Sequence, residues 1–485
     1  MDALTDIFNL STNQTALFGV IYVLLEVAGI LAALHAILNA RTSQGAIAWA
    51  FFLVTLPYLA LPFYALLGRH KLKRHVETRR NENSAIHQST VQLISRLQNV
   101  RTQLQSREAF NVTMENLSGA IFTRGNSAEL LMTGQATFEA LFAAIEAAQD
   151  YILLEFYIVN DDEIGRGLQQ RLIEKQRQGI RVYFLYDSIG SYRLSRSYRN
   201  ELRAAGVRLN EFGSLHLLRN RFQVNFRNHR KILVVDGKIG FSGGYNVSNE
   251  YLGRTAKYGY WRDTHIRLTG PAVLGLQAAF IEDWFWVTGE AITVNWSAET
   301  ATGDKVMMVV PTGPADNRYT CSLFFMQMLN TARQRAWITS PYFVPNEAVL
   351  ESLKLAALRG VDVRVMLPGV PDKKTVWYAA FAYIQEAQEA GVKFFRYREG
   401  FMHQKVMLVD DDLAVVGTAN LDNRSFRLNF ELSILVADAA FAAAVEKMLG
   451  DDFHNSDLVS REDAVNHPFL IRIAIAGARL FSPIL

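Results

Sequence analysis

Two stretches of the chain carry the same residues at the same spacing. Each has a His, one residue, a Lys, four residues and an Asp, followed by a turn of small residues and an Asn. The members are His229, Lys231, Asp236 and Asn246 in the first copy and His403, Lys405, Asp410 and Asn420 in the second. An imidazole can attack phosphorus or transfer a proton, while ammonium and amide groups donate to phosphate oxygens. The repeat therefore predicts one phosphodiester site built from both copies.

The single residue between His and Lys has a geometric consequence. Side chains alternate between the two faces of a strand, so a strand over residues 228–236 turns His229 and Lys231 to one face and Asp236 to the other. The same alternation applies to the second copy. Asp236 and Asp410 belong to the candidate catalytic set as members of the repeat, but the alternation favours a structural role for them. The Asn side chains, and the two Lys, are the predicted phosphate-binding groups.

A carboxylate follows each copy at a matching position. Asp263 lies in the sequence Trp-Arg-Asp-Thr-His and Glu431 in Asn-Phe-Glu-Leu-Ser. A carboxylate that accepts from Nδ1 of an imidazole leaves Nε2 free to attack, and we predict this orienting role for both residues. Further basic residues near the copies are candidates for a second phosphate, with a solvated surface charge as the alternative. They are Arg227, Arg230, Lys373, Lys374, Arg424 and Arg427.

Two apolar segments near the start of the chain predict a membrane hairpin. Residues 16–38 and 46–67 are each about 20 residues long, enough to span a hydrocarbon core as a helix. Pro57 and Pro62 predict that the second span is kinked or partly re-entrant. The basic residues that follow place the rest of the chain in the cytoplasm by the positive-inside rule. The alternative is a pair of buried helices in a soluble core.

The order of predicted elements indicates a duplicated α/β protein. We predict a transmembrane hairpin over residues 1–70, a basic, amphipathic linker over 71–120, and two similar domains over 121–300 and 301–485. The helix of the linker is expected near the membrane or, equally, at a domain edge. Each domain alternates strands with helices that end in Gly, which is typical of α/β sheets.

Composition restricts the class of protein. Half of the 485 residues are hydrophobic and the net charge is only +3, which argues against a nucleic-acid-binding surface. Cys321 is the one cysteine, so an intramolecular disulfide and a Cys-rich metal site are excluded. The sequence does not indicate an oligomeric state.

The paired motif resembles the phospholipase D superfamily. Together with the hairpin, the sequences around Asp263 and Asn420 and the ending Leu-Phe-Ser-Pro-Ile-Leu, it is similar to bacterial cardiolipin synthases along essentially the whole chain. The resemblance implies transfer of a phosphatidyl group between two phosphatidylglycerol molecules through a phosphohistidine. We favour His229 as the nucleophile and His403 as the acid and base. Two lysines supply the positive charge, so no metal or other cofactor is expected.

The same resemblance implies a multi-pass protein of the bacterial inner membrane with a cytoplasmic catalytic body. Water could replace the acceptor lipid in the same site, which leaves a hydrolytic phospholipase D as an alternative. Another phosphatidyl donor, such as CDP-diacylglycerol, is a further one. A nuclease of the superfamily is disfavoured by the hairpin and the charge, and a non-enzymatic scaffold by the presence of both motifs intact.

Overall fold

The computed structural model describes residues 12–40, 43–68, 93–213, 225–255, 258–316 and 318–485. They fall into two compact units, one of N-terminal helices and one α/β body. The basic cluster predicted to orient the hairpin lies outside the described residues, as do residues 71–92 of the predicted linker; the cluster consists of Arg69, Lys71, Lys73, Arg74, Arg79 and Arg80.

The N-terminal unit contains the helices α1 (Thr12–Asn39), α2 (Ser43–Thr55) and α3 (Pro57–Leu67). In the described part of the chain, one helical stretch is long and apolar enough to cross a membrane, the 23 residues Leu17–Asn39 with a mean hydropathy of 2.4. The second predicted span does not form one helix. It breaks at Leu56, because Pro57 has no N–H to continue the helical ladder.

The three helices pack against one another within this unit. Tyr64 of α3 makes a hydrogen bond to His35 of α1, with 2.8 Å between the hydroxyl and Nδ1. Its ring also contacts Trp49 of α2 edge-on, with 5.0 Å between the ring centres. The broken second segment therefore still folds back along the first, as a hairpin requires.

The α/β body contains twelve helices in its described part. They are α4 (Glu108–Ser118), α5 (Gly134–Glu146), α6 (Glu163–Arg177), α7 (Arg196–Ala204), α8 (Val273–Thr288), α9 (Thr320–Thr331), α10 (Glu347–Leu358), α11 (Lys374–Glu389), α12 (Asn423–Arg427), α13 (Ala439–His454), α14 (Arg461–Val465) and α15 (Phe469–Leu480). The first-half strands are β1 (Thr123–Leu131), β2 (Tyr151–Phe156), β3 (Arg181–Asp187), β4 (Arg208–Phe212), β5 (Arg227–Asn228), β6 (Ile232–Val235), β7 (Ile239–Gly243), β8 (Trp261–Arg262) and β9 (His265–Thr269). The second-half strands are β10 (Lys305–Thr312), β11 (Arg335–Thr339), β12 (Phe343–Val344), β13 (Asp362–Pro368), β14 (Lys393–Tyr397), β15 (Phe401–Met402), β16 (Val406–Val409), β17 (Leu413–Gly417), β18 (Leu421–Asp422), β19 (Asn429–Ala437) and β20 (Ser456–Leu458).

The two halves share one long sheet. Its order is β20-β14-β13-β11-β16-β17-β19-β10-β1-β9-β7-β6-β2-β3-β4, and the antiparallel pair β1–β10 joins the halves. Each half runs outward from this joint through the same sequence of strands. Equivalent helices end at equivalent glycines, Gly179 and Gly360, whose φ angles of 87° and 88° suit only glycine well. The predicted duplicated α/β fold is confirmed.

Helix α4 belongs to the body although it precedes the first half. Phe110 and Met114 are buried in the core of the second half, together with Phe324 and Met328 of α9. Leu97 and Val100, a little earlier, are buried against Leu274. For residues 93–118 the structure thus favours the domain-edge helix over a helix lying on the membrane.

The strand predicted over residues 228–236 is interrupted at the motif itself. Strand β5 pairs in parallel with β19 of the other half, whereas β6 pairs with β2 and β7 of its own half. The second copy behaves alike, with β15 paired to β8 of the first half. Residues 229–231 and 403–405 lie between these pairings and form no ladder. No strand forms at these residues, because the backbone changes there from pairing with the other half to pairing within its own half.

Asp236 and Asp410 clamp the start of a neighbouring strand. Both have positive φ angles, 55° and 52°, in the turn after the motif strand. The Asp236 carboxylate accepts from the backbone N–H groups of residues 149–151 at 2.8 to 2.9 Å. Asp410 does the same for residues 333–335 at 2.8 to 3.2 Å. This geometry places both carboxylates on backbone amides, which agrees with the structural role that strand alternation favours for them.

Replacing Asp410 by Asn should destabilise the fold by about 1–3 kcal/mol, because the amide loses one acceptor oxygen and the charge that strengthens its hydrogen bonds. Asn tolerates the positive φ, so backbone strain is not added. The free energy of unfolding measured in urea tests this. Asp412→Asn, which removes a half-exposed ion pair with Arg107, should cost less than about 1 kcal/mol. Equal effects of the two substitutions would refute the clamp.

Candidate active site

Each motif histidine is paired with the carboxylate of the opposite half. Nδ1 of His229 lies 2.9 Å from Oε2 of Glu431, and Nδ1 of His403 lies 2.7 Å from Oδ2 of Asp263. All four side chains are buried or nearly so. The structure therefore brings both motifs and both predicted carboxylates together, but in a crossed arrangement.

The exchanged strands explain the crossing. In the parallel pair of β5 and β19, Asn228 lies opposite Phe430, so the next residues, His229 and Glu431, are side by side. The backbone N–H of His229 donates to the carbonyl of Phe430 at 2.9 Å. The pair β15–β8 repeats this register, and the N–H of His403 donates to the carbonyl of Arg262 at 2.7 Å. The imidazole–carboxylate pairs follow from backbone register.

Glu431 is held at both oxygens. Besides His229, its Oε2 accepts from the hydroxyl of Thr418 at 2.6 Å. Its Oε1 accepts from Ser425 at 2.8 Å and from the amide of Asn429 at 3.1 Å. Four donors on one carboxylate fix its position and favour its ionised form. Thr418, Ser425 and Asn429 were not predicted as site residues, although all three lie in segments adjacent to predicted ones.

Asp263 is accommodated differently. A Cβ atom at Gly244 would lie 1.9 Å from its Oδ1, so the carboxylate occupies the space of the missing side chain. Gly244 is the counterpart of Thr418, whose hydroxyl binds Glu431. The backbone N–H of Gly244 donates to the carbonyl of Thr264 at 2.9 Å. This N–H is therefore engaged in a backbone hydrogen bond next to the site.

The two lysines differ in what they touch. Nζ of Lys231 donates to the carbonyl of His229 at 2.7 Å. Nζ of Lys405 contacts the carbonyl of His403 and also lies 2.8 Å from Nδ1 and 3.2 Å from Nε2 of that ring. Lys405 thus lies against its imidazole, whereas Lys231 contacts only the backbone of its partner. This asymmetry distinguishes the two histidines chemically.

Burial sets the charge state of the site. It lowers the pKa of His229 and of His403 to about 4, against the opposing pull of Glu431 and Asp263. It also lowers the pKa of Lys231 to about 7 and that of Lys405 to about 8. Burial alone would raise the pKa of each carboxyl, but the histidines and lysines outweigh it and hold both below their usual range. The site therefore holds neutral imidazoles between ionised carboxylates.

The two asparagines are not equivalent. Asn246 accepts from the N–H of Ile158 at 3.1 Å and donates to the hydroxyl of Tyr251 at 2.9 Å, so its side chain is engaged in the first half. The backbone N–H of Asn420 donates to Ser425 at 3.0 Å. Its buried Oδ1 has no hydrogen-bond partner among the residues that the structure describes. Asn420 thus has the less engaged side chain of the two, and its amide NH2 is the group that can donate to a phosphate oxygen.

The candidate basic residues separate into different environments. Arg230 is fully buried and its Nη1 lies 2.6 Å from Asp283, so it is a structural ion pair. Arg227 lies 3.7 Å from Asp187, and burial, with the charge of Arg424, lowers its pKa. The charges of Arg227 and Arg424, one from each half, both lower the pKa of Tyr157, whose ring contacts His229.

An aromatic wall and a bridging carboxylate surround His403. Trp261 and Phe401 lie 5.1 and 5.9 Å from its ring, between ring centres. Asp372 accepts from the hydroxyls of Tyr258 and Tyr342, both at 2.7 Å, and so links the two halves beside this wall. Sequence reasoning missed Asp372, because it lies in a loop remote from both motifs.

Loss of one carboxylate should disturb the histidine of the other half. In Glu431→Gln the amide NH2 replaces one of the two carboxylate oxygens and faces groups that donate hydrogen bonds themselves. His229 therefore loses its charged acceptor, while His403 keeps its own. Histidine-selective ¹⁵N labelling should show shifted His229 resonances in Glu431→Gln and shifted His403 resonances in Asp263→Asn. Each variant serves as the control of the other. The reverse assignment would contradict the crossed pairing.

Comparisons with known proteins agree with this architecture. The family described as "Cardiolipin synthase, PLD-like domain" matches residues 141–261 and 325–452. Cardiolipin synthase A of Pseudomonas putida (strain GB-1) is 46% identical over 472 residues, which is 96% of this chain and 98% of that protein. Cardiolipin synthase A of Pseudomonas aeruginosa (strain LESB58) is 47% identical over 477 residues, which is 98% of this chain and 97% of that protein.

The crystal structure of phosphatidylserine synthase from Haemophilus influenzae Rd KW20 shares the fold, with a TM-score of 0.61 at 17% identity over 78% of this chain and 100% of that one. The chain belongs to the cardiolipin synthase family, whose members are built on phospholipase D-like domains.

Proposed function

We propose that the protein is a cardiolipin synthase that transfers a phosphatidyl group from one phosphatidylglycerol to the primary hydroxyl of another and releases glycerol. The observation that carries this proposal is the buried pair of crossed imidazole–carboxylate couples with a lysine beside each. Two imidazoles at one phosphate suit a two-step exchange, in which one forms the covalent intermediate and the other moves the proton. Relatives at 46 and 47% identity are named cardiolipin synthase A.

His229 is the better nucleophile of the two. Glu431 accepts from its Nδ1 and so leaves the Nε2 lone pair for phosphorus, and Lys231 donates to the backbone, away from the ring. Nε2 of His403, in contrast, has the Lys405 ammonium 3.2 Å away. Nζ is closer still to Nδ1, at 2.8 Å, and an ammonium this near withdraws electron density from the ring and lowers its pKa, so His403 is the poorer nucleophile. This contrast supports His403 as the acid and base.

In the first step Nε2 of His229 attacks phosphorus, the bond from phosphorus to the glycerol oxygen breaks, and His403 protonates that oxygen. In the second step His403 takes the proton of the incoming hydroxyl, the new P–O bond forms, and the P–N bond to His229 breaks. Lys231, Lys405 and Asn420 neutralise the equatorial oxygens as charge develops. The bound phosphodiester adds a negative charge, which raises the pKa of His403 from about 4 and allows it to carry the proton.

The acceptor lipid carries a second phosphate. The charges of Arg227 and Arg424, one from each half, both act on Tyr157, whose ring contacts His229. A phosphate between two guanidinium groups would relieve their mutual repulsion. This position favours a second anionic phospholipid over water as acceptor, and so favours a synthase over a hydrolytic phospholipase D.

The N-terminal unit anchors the protein in the bacterial inner membrane in this proposal. Helix α1 spans the bilayer, and α2 with α3 crosses it as one broken span, since each alone is shorter than the hydrocarbon core. The basic residues between 69 and 80 in the sequence support a cytoplasmic body.

The product identifies the reaction. Purified full-length protein in vesicles with phosphatidylglycerol as the sole phosphatidyl donor should form cardiolipin and free glycerol. Accumulation of phosphatidic acid would establish hydrolysis, and activity only with added CDP-diacylglycerol would establish another donor. With phosphorus-labelled lipid, His403→Ala should retain label on the protein and His229→Ala should not. Label held by His229→Ala alone would exchange the two roles.

The pH dependence of the rate should reveal the lysines. A lysine is charged below its pKa, so phosphate binding is lost as pH rises through about 7 for Lys231 and about 8 for Lys405. We expect kcat/KM, which reports the free enzyme, to fall over this range. The fall in kcat should lie at higher pH, because the bound phosphodiester raises both values. Coincident profiles for kcat and kcat/KM would contradict this explanation.

A further inference from the structure

Helix α15 presents an apolar face to the outside of the body. Its large exposed side chains are Phe469 at 73% exposure, Leu470 at 76%, Ile473 at 53% and Leu480 at 81%. At about 100° per residue these four lie on one side of the helix. A helix on the surface of a soluble domain ordinarily turns polar residues outward, so this face is built for a partner other than water.

The opposite face of α15 holds the helix on the body. Ala478 is buried in the core of the second half. Arg479 lies over the ring of Tyr383 at 5.5 Å and 3.6 Å from Glu386, both residues of α11. Since α15 is fixed along one side, its exposed apolar side chains are displayed in a defined direction.

The charge around this face is positive. Residues 466–485 contain Arg472 and Arg479 and no Asp or Glu. Arg472 is exposed and lies beside the apolar face. Arg479 is paired with Glu386, so Arg472 is the arginine at the edge of the apolar face that can meet an anionic headgroup.

The segment after α15 contacts the active site. The carbonyl of Leu485 accepts from the backbone N–H of Arg424 at 2.9 Å, and that of Ile484 from the Arg424 side chain at 3.2 Å. Arg424 lies in α12, and the next residue of this helix, Ser425, donates to the Glu431 carboxylate at 2.8 Å. Helix α15 is therefore connected to the catalytic carboxylate through one short helix.

We propose that α15 docks in the plane of an anionic phospholipid surface and holds the catalytic body against it. The apolar side chains enter the region between headgroups and acyl chains, and Arg472 binds a lipid phosphate. This contact is additional to the N-terminal helices, and it rests on the proposed function only where it states that the site receives its lipid there. This contact fixes the position of the catalytic body relative to the bilayer surface, so that lipid headgroups reach His229 and His403.

The depth of α15 can be measured on the full-length protein in vesicles with or without phosphatidylglycerol. A nitroxide is attached at Leu470→Cys or, as a matched control, at Leu358→Cys, an exposed leucine of α10. Cys321 is buried and its thiol pKa is raised, so it does not compete for the reagent. We expect the Leu470→Cys label to be open to oxygen and shielded from a water-soluble nickel complex when the lipid is anionic. The label on α10 should be open to nickel.

Activity provides the second measurement. The double variant Leu470→Gln/Ile473→Gln should lose about tenfold or more in kcat/KM on vesicle phosphatidylglycerol, since two apolar side chains leave the lipid. Turnover of a water-soluble, short-chain phosphatidylglycerol should be unchanged, and Leu358→Gln should behave as wild type on both substrates.

Several results would overturn the proposal. A label at Leu470→Cys that is open to nickel in anionic vesicles shows a face in water. A Leu470→Cys label that neither oxygen nor the nickel complex reaches, in a protein that is dimeric, shows that a second copy covers this face. Equal loss on both substrates shows a structural defect. If wild type makes no cardiolipin, the proposed function fails, but the nitroxide measurement still decides the docking.

Discussion

The organisation of this site depends on a reciprocal exchange of strand partners. Just before its His-x-Lys motif, each half pairs for two residues with the two residues that precede the other half's carboxylate. Backbone register then sets His229 beside Glu431 and His403 beside Asp263. Neither half contains a complete imidazole–carboxylate pair by itself. The duplication is therefore functional only as one body, which the shared sheet through β1 and β10 also ensures.

Burial of this cluster gives the site its chemistry. Ionised carboxylates and lysines in a medium of low polarity are tolerated because their charges nearly balance. The same burial lowers the pKa values of both imidazoles to about 4, so that they are neutral and nucleophilic before a substrate arrives. A bound anionic phosphodiester raises the pKa values of these imidazoles again. The substrate itself thus makes protonation of one histidine favourable.

The pseudo-symmetry is incomplete, and the departures separate the two roles. Thr418 supports Glu431 with a hydroxyl, whereas Gly244 leaves room for Asp263. Lys405 approaches the ring of His403, while Lys231 remains on the backbone of His229. Around His403, Asp372 and the aromatic wall add a bridge between the halves. These side chains make the two histidines chemically different, as the proposed division of roles between nucleophile and proton carrier requires.

Much of this protein follows from the sequence alone, because periodicity and motif spacing are local properties. The repeated motif predicted the phosphodiester chemistry, the helix-ending glycines the duplicated α/β fold, and Pro57 the break in the second apolar segment. The carboxylates Asp263 and Glu431 were also found by their matching positions. What the tertiary structure alone decided is which carboxylate serves which histidine, that Asp236 and Asp410 clamp backbone amides, and that Arg230 is sealed in an ion pair. These depend on partners 50 to 200 residues away along the chain, and strand alternation within one segment carries no information about which distant strand it will meet.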